Sequence, residues 1–169
     1  IDTLDNRLSI PKLFLNQQLN YNIMTKLHAY LNFNGNCEEA FAFYAQVFNS
    51  KNLGLYRFGD MPADPAHPLP AGSENLIMHT ALFINESVML MGSDCIEGFG
   101  HKANAGTNSY FMLDTDTAEE AQQLYKALVV DAQDIEMPLG EQFWAELYSS
   151  FTDKFGIAWM IHFEGNKKM

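Results

Sequence analysis

The feature that most constrains this chain is that it repeats itself. The stretch "YLNFNGNCEEAFAFYAQVF", Tyr30 to Phe48, returns as "YFMLDTDTAEEAQQLYKALV", Tyr110 to Val129. Tyr30 and Tyr110 stand 80 positions apart and Ala40 and Ala121 stand 81 apart, so one added residue in the second turn reconciles the copies. Each copy runs from an apolar strand through a polar turn into Glu-Glu-Ala and an amphipathic helix. Self-similarity of this kind has to be accommodated before any single residue is interpreted.

The local physics of the two copies agrees. Asn36 with Glu39, and Thr117 with Glu120, have the capping-box spacing that satisfies free amides at a helix start. Ala40, Tyr44, Val47 and Phe48 make one apolar stripe, and Ala121, Leu124, Tyr125 and Leu128 make the other. Three strands are expected after each helix. In the first copy they are Leu55–Phe58, Leu76–Ile84 and Ser87–Met91, with a tight turn at Asn85-Glu86. In the second they are Ile135–Met137, Phe143–Phe151 and Ile157–Phe163, with Thr152–Gly156 as the last turn. The chain therefore reads βαβββ twice: residues 24–97, a Gly- and Asn-rich link at 98–107, and residues 108–169. Residues 1–23 read as an extension, either not native or an arm packed through Leu4, Leu8, Leu13, Phe14, Leu15 and Leu19 on its own domain or a partner. Met24 would make a natural start before the first strand.

Composition narrows the function. A chain of 169 residues with 47% hydrophobic content can fill one core or two small fused ones. A net charge of −11 argues against nucleic acid and anionic membrane surfaces, which select basic patches. No apolar run approaches the roughly 18 residues of a membrane span. Cys37 and Cys95 read as reduced thiols of a cytoplasmic protein. No nucleophilic triad, phosphate loop or cysteine-rich metal motif stands out.

Four stretches, "YLNFNGNCEEAFAFY", "LIMHTALFI", "LMGSD" and "MPLGEQFWAELYSSFTDKFGIAWMIHFEG", cover most of Leu27 to Gly165. In this order they resemble the PhnB-like branch of the vicinal oxygen chelate superfamily, which includes glyoxalase I, extradiol dioxygenases and the fosfomycin- and bleomycin-resistance proteins. The resemblance implies an α+β fold in which two βαβββ modules form curved mixed sheets around a cleft. It implies a small-molecule ligand in that cleft and a homodimer. It does not imply one reaction. A methyltransferase label used for some relatives is rejected, because no glycine-rich strand-to-helix turn is present to hold S-adenosylmethionine.

In metal-using relatives, His and Glu on cleft-facing strand positions bind a divalent metal and leave places open for substrate oxygens. Alternation puts His28, Tyr30 and Asn32 toward the cleft, and Leu27, Ala29, Leu31 and Phe33 under the helix. His28 thus takes the position of a family metal ligand. Its expected partners do not follow: the matching places hold Asn108 or Ser109, and Met160. A divalent metal is therefore not expected, although His162 and Glu164 share Met160's face and could rebuild part of a site. His28 then reads as a cleft histidine that hydrogen-bonds its neighbours.

His79 is the second acid-base candidate beside His28, although Ala81 stands where PhnB-like relatives carry Glu. A satisfied histidine within the sheet is the alternative. Candidate ligand contacts are Tyr30, Asn32, Asn108, Tyr110, Glu141, Phe143, Trp144, Met160 and His162. The aromatic pair Phe143 and Trp144 beside Glu141 could wall a pocket, or simply pack in the core next to a surface acid. Trp159 and Ile161 are expected in the core, and Asp153 in a turn. The proline-rich loop Gly59–Asn75 is expected either as a lid over the cleft or as a plain surface loop. Two functions remain open: an enzyme of lyase, isomerase or dioxygenase type with a degenerate metal site, and a ligand-sequestering protein without catalysis.

Overall fold

The computed structural model describes residues 25–98 and 102–167. The expected N-terminal arm and residues 99–101 of the Gly- and Asn-rich link lie outside these residues. Strand β1 (Ala29–Phe33) leads into helix α1 (Cys37–Val47). Strands β2 (Asn52–Arg57), β3 (Ile77–Phe83) and β4 (Met89–Asp94) follow, and a 3-10 turn at Phe58–Asp60 closes β2. The second unit repeats this with β5 (Phe111–Asp114), α2 (Ala118–Leu128), β6 (Asp134–Gly140), β7 (Leu147–Thr152) and β8 (Ala158–Phe163).

The two sheets have the same topology. Their orders are β1-β4-β3-β2 and β5-β8-β7-β6, with the first and last strand of each unit parallel and the other pairs antiparallel. The sheets are mixed and not strongly curled. β1 and β5, the strands that carry the repeat, are both edge strands.

Each sheet buries one face under its own helix. Leu31, Phe33, Leu82 and Leu90 pack on Cys37, Ala40, Phe41 and Tyr44. Gly92 sits under Phe41, leaving the space its ring occupies. In the second sheet Phe111, Leu113, Phe151, Trp159 and Ile161 meet Ala121, Leu124, Tyr125 and Leu128. Gly92 pairs with Leu31, and Trp159 pairs with Phe111, the residue matching Leu31 in the repeat. The duplicated sheet position thus holds the smallest side chain in one copy and the largest in the other. Trp159 fills the gap between the units by contacting Tyr44 and Phe48 of the first. The result is one continuous core.

A buried carboxylate joins the units. Asp153, fully buried in the β7–β8 turn, accepts hydrogen bonds from Phe155 N and Ile157 N at 2.9 and 3.0 Å. Its other oxygen accepts from the Tyr44 hydroxyl at 2.6 Å and from Trp159 Nε1 at 2.8 Å. Burial, followed by the charge of Asp153, pushes the Tyr44 phenol far above its ordinary range.

Several local expectations need correction. Thr117 caps α2 by accepting from Glu120 N, as the spacing requires. Asn36 makes no such bond, because its backbone (φ −120°, ψ 20°) is not extended. Asp94 replaces it from the neighbouring strand, accepting from Gly35 N, Cys37 N and Ile77 N at 2.9–3.0 Å. Gly35 makes this approach possible with φ +101°. Leu27 is 89% exposed instead of packed, because β1 begins only at Ala29 and no sheet lies beneath Leu27. β4 runs to Asp94 instead of ending at Met91, and β7 starts at Leu147 instead of Phe143. The tight turn at Asn85 is present, with its Oδ1 accepting from Ser87 N and Val88 N.

Candidate ligand cleft

The helices lie on one face of each sheet, and the edge strands β1 and β5 are brought toward each other. Two clefts open between the units. The first, about 740 Å³, is walled by apolar side chains such as Ala29, Phe48, Val88, Leu124 and Trp159, with polar groups from His28, Asn49, Asn85, Tyr110, Asp114, Thr115, Glu120 and Gln123 along it. The second, about 830 Å³, lies farther along β1 and carries an amide wall of Asn32, Asn34, Asn36, Asn104 and Gln133 beside Tyr30. Neither is lined by any residue of Gly59–Asn75. That loop closes on its own base through Gly59 N to Glu74 O and Arg57 Nη1 to Asn75 O, and Arg57 also forms a bidentate pair with Glu38. It is a surface loop and not a lid.

His28 enters the first cleft half-buried. Its Nδ1 accepts the backbone N–H of Met89 at 3.1 Å. A backbone N–H can only donate, so Nδ1 carries a lone pair there, and the neutral ring must hold its proton on Nε2. A metal-ligating histidine commonly works the other way, donating one ring N–H to an acceptor while the other nitrogen binds. Of the two places for a second ligand, Asn108 lines neither cleft, and Ser109 lines the second with a hydroxyl and not an imidazole. Met160 pairs with Met112 across the sheet. Among the described residues no group of three or more His, Cys, Asp and Glu could hold a metal. The residues present do not fit the family's metal.

A family model described as 3-demethylubiquinone-9 3-methyltransferase matches residues 25–162. The chain belongs to this family, the PhnB-like branch of the vicinal oxygen chelate superfamily. The protein YjdN of Escherichia coli K12 is 33% identical over 141 residues, spanning 80% of this chain and 93% of that protein. The solved structure of PA1353 from Pseudomonas aeruginosa is 36% identical and superposes with a TM-score of 0.71 over 83% of this chain and 98% of that one. The PhnB protein from Bacillus cereus, 24% identical, shares the fold with a TM-score of 0.64 over 82% and 99% of the two chains.

In this PhnB-like chain the sequence-derived candidates divide among several places. His28 and Tyr110 reach the first cleft. Tyr30 and Asn32 line the second. His79 stacks on Tyr30 with ring centroids 6.0 Å apart, on the sheet face turned away from the helices. His28 lies level with Met89, whose strand partner is Phe83. His79 is four residues farther along β3, roughly 13 Å at strand rise, so a shared acid-base role for the two histidines is dropped. Glu141 pairs with Lys167, which holds its carboxyl below the usual range, and it borders a shallow hollow away from both clefts. Phe143 is 83% exposed in the segment before β7 and packs edge-on against Trp144, which in turn packs on Tyr148.

The structure adds partners that sequence reasoning missed. The Tyr110 hydroxyl donates to Glu136 at 2.7 Å, which holds that phenol above its ordinary range. Tyr148 is raised by burial and then by the same carboxylate. His162 Nδ1 lies 2.7 Å from Asp114 Oδ1. The sheet register accounts for this last pair, because parallel pairing of β5 and β8 sets Asp114 opposite His162.

Proposed function

We propose that this PhnB-like protein binds a small organic molecule of mostly apolar character in the first cleft, without a metal. His28 Nε2–H is the donor that orients it. The observation that carries this reading is the Met89 N–H bond to His28 Nδ1, which leaves Nε2 as a donor and not as a ligand or base. A neutral donor in an apolar cleft suits recognition of a carbonyl or ether oxygen. That arrangement favours a ligand-sequestering role over a metal-dependent lyase, isomerase or dioxygenase. The family description names a methyltransferase, but the β1–α1 turn holds one glycine and the β5–α2 turn none, which argues against an S-adenosylmethionine site.

The test uses the neutral fluorophore N-phenyl-1-naphthylamine. It should bind at one site per chain, and Val88→Trp should weaken binding about ten-fold by filling the cleft. His28→Ala should weaken a carbonyl-bearing analogue but not the hydrocarbon probe. Zinc, manganese and chelator should change neither. Metal-dependent binding, or calorimetric binding of S-adenosylmethionine, would overturn the reading. We further propose a homodimer in the cytoplasm. The exposed Tyr30, Tyr56, Phe83 and Met112 on the sheet faces away from the helices support a second copy as their cover, and light scattering in solution checks it.

A further inference from the structure

The two clefts occupy matching places in the duplicated architecture. The first lies between the start of β1 and the end of β5, beside Ile84 and Val88 of the turn joining β3 and β4. The second lies between the end of β1 and the approach to β5, beside Phe155 and Ile157 of the turn joining β7 and β8. The duplicated unit forms the cleft twice, and the two copies carry different linings.

The first cleft holds two carboxylates, Asp114 and Glu120. Among the described residues, the walls of the second include no Asp, Glu, Lys, Arg or His, in a chain whose residues are 18% charged. An ionic ligand entering the second cleft would lose water without gaining a counter-charge.

Carboxamides stand there instead. Asn36 comes from the β1–α1 turn, Asn104 from the link between the units, and Gln133 from the segment between α2 and β6. Asn34 is spent on the fold: its amide donates to Ala103 O and accepts from Ala103 N at 2.8 and 3.0 Å, which fastens the link across the end of β1. Gln133 Nε2 donates to Lys154 O at 3.1 Å, so its Oε1 is left to accept. Asn104 Nδ2 reaches Lys102 O at 3.4 Å and keeps its oxygen. Asn36 makes no cap bond to α1, which leaves its NH₂ and its oxygen to the cleft.

The apolar part of the wall is held in place. Asp153 accepts from Phe155 N and Ile157 N and so fixes the turn that presents both side chains. Phe155 also packs on Phe43 and Tyr44 at 5.7 and 5.8 Å between ring centroids. Lys154 Nζ lies 5.0 Å from the Phe155 ring centroid, but Lys154 is not among the walls.

These features select a ligand. A carboxamide sets a donor beside an acceptor, and two neighbouring hydroxyls answer with an acceptor beside a donor. Amides that arrive from three separate elements suit a compact ring with hydroxyls around its rim. A planar base, with hydrogen-bonding groups along its edge, would leave some of them unpaired. We propose that the second cleft binds a neutral saccharide, held by Asn36, Asn104 and Gln133, with the C–H face of its ring resting on Phe155 and Ile157. This site lies apart from the cleft proposed above and does not depend on it.

The test follows the side-chain NH₂ signals in ¹⁵N–¹H spectra during separate titrations with glucose, galactose, mannose, N-acetylglucosamine, maltose and lactose. At least one of these sugars should shift the Asn36, Asn104 and Gln133 signals saturably, with a Kd of about 1 mM or tighter. For that sugar, N36A and N104A should each weaken binding about three- to ten-fold, the scale of a neutral hydrogen bond. Because Asn36 makes no cap, N36A keeps the fold and the test holds even if N104A loosens the link. Phosphorylated and amino derivatives of the same sugar should bind about ten-fold more weakly, since neither finds a counter-charge. Saturating N-phenyl-1-naphthylamine and His28→Ala should leave sugar binding unchanged, so failure of the first-cleft reading remains distinguishable. No saturable shift with any of these sugars, shifts confined to other residues, an N36A protein equal to wild type, or tighter binding of the charged derivatives would each overturn the proposal.

Discussion

Replacing Asp153 by Asn tests the claim that one buried carboxylate couples the two units. The change keeps size and shape but exchanges an acceptor oxygen for an NH₂ group. All four current donors, Phe155 N, Ile157 N, Tyr44 Oη and Trp159 Nε1, converge on the two carboxylate oxygens. If the amide oxygen keeps the two backbone donors, the NH₂ meets Tyr44 and Trp159. The tyrosine hydroxyl can rotate to accept, whereas the indole N–H can only donate and is stranded. A buried unsatisfied donor costs about 1–3 kcal/mol, and the surviving bonds lose their charge assistance. Part of that loss is offset because Asn is cheaper to desolvate than a carboxylate. The net expectation is about 3 kcal/mol, or a fall in Tm of roughly 6–12 °C for a chain of this size. Urea unfolding followed by tryptophan fluorescence should remain a single transition, because the core is continuous. In a Trp159→Phe background the stranded donor is gone, and the cost of Asp153→Asn should shrink by about 1–2 kcal/mol. A cost below about 0.5 kcal/mol, or no coupling to Trp159, would mean that Asp153 does not hold the two units together.

Other perturbations follow from the same structure. Tyr44, one of seven tyrosines, is held far above the ordinary phenol range in the folded state. Its contribution is therefore complete below the unfolded value, near 10, and is lost as pH rises beyond it. Ultraviolet titration should show Tyr44 ionising only together with unfolding, and ionisation in the folded state would contradict this. Gly92→Ala would set a Cβ 2.5 Å from Phe41 Cε2 and 3.0 Å from Leu31 O. The expected cost is about 1–3 kcal/mol by thermal or urea denaturation, and a neutral result would mean that α1 shifts freely. Asp94→Ala should destabilise by about 2–4 kcal/mol, because three backbone donors converge on that buried carboxylate. An Asn36→Ala protein should lie within about 0.5 kcal/mol of wild type, since Asn36 makes no cap.

The fold was legible because its signals are local and duplicated. Strand, cap and helix spacing recurred in order, and their repetition reinforced what either copy alone would have left weak. Errors came where a distant residue supplied what a local one was expected to supply. Asn36 satisfied the cap spacing, yet Asp94, 57 residues away from Cys37 in sequence, does the capping. Leu27 continued the alternation on paper but lies before the sheet begins. The candidate site was legible only in parts. Alternation assigned His28, Tyr30 and Asn32 to one face, but the edge-to-edge arrangement of β1 and β5 distributes them between two clefts. Tautomers were beyond the sequence altogether. Which nitrogen of His28 or His162 carries the proton depends on Met89 N–H and Asp114, partners fixed by sheet register.

The central claim is that the cleft of this PhnB-like chain works through a neutral His28 donor and not through a metal. Long-range ¹⁵N–¹H correlation of the histidine side chains tests it directly. Nδ1 of His28 should resonate as an unprotonated nitrogen and Nε2 as a protonated one, and saturating zinc or manganese should leave both shifts in place. A protonated Nδ1 in the neutral ring, or metal-dependent displacement or broadening confined to His28, would contradict it.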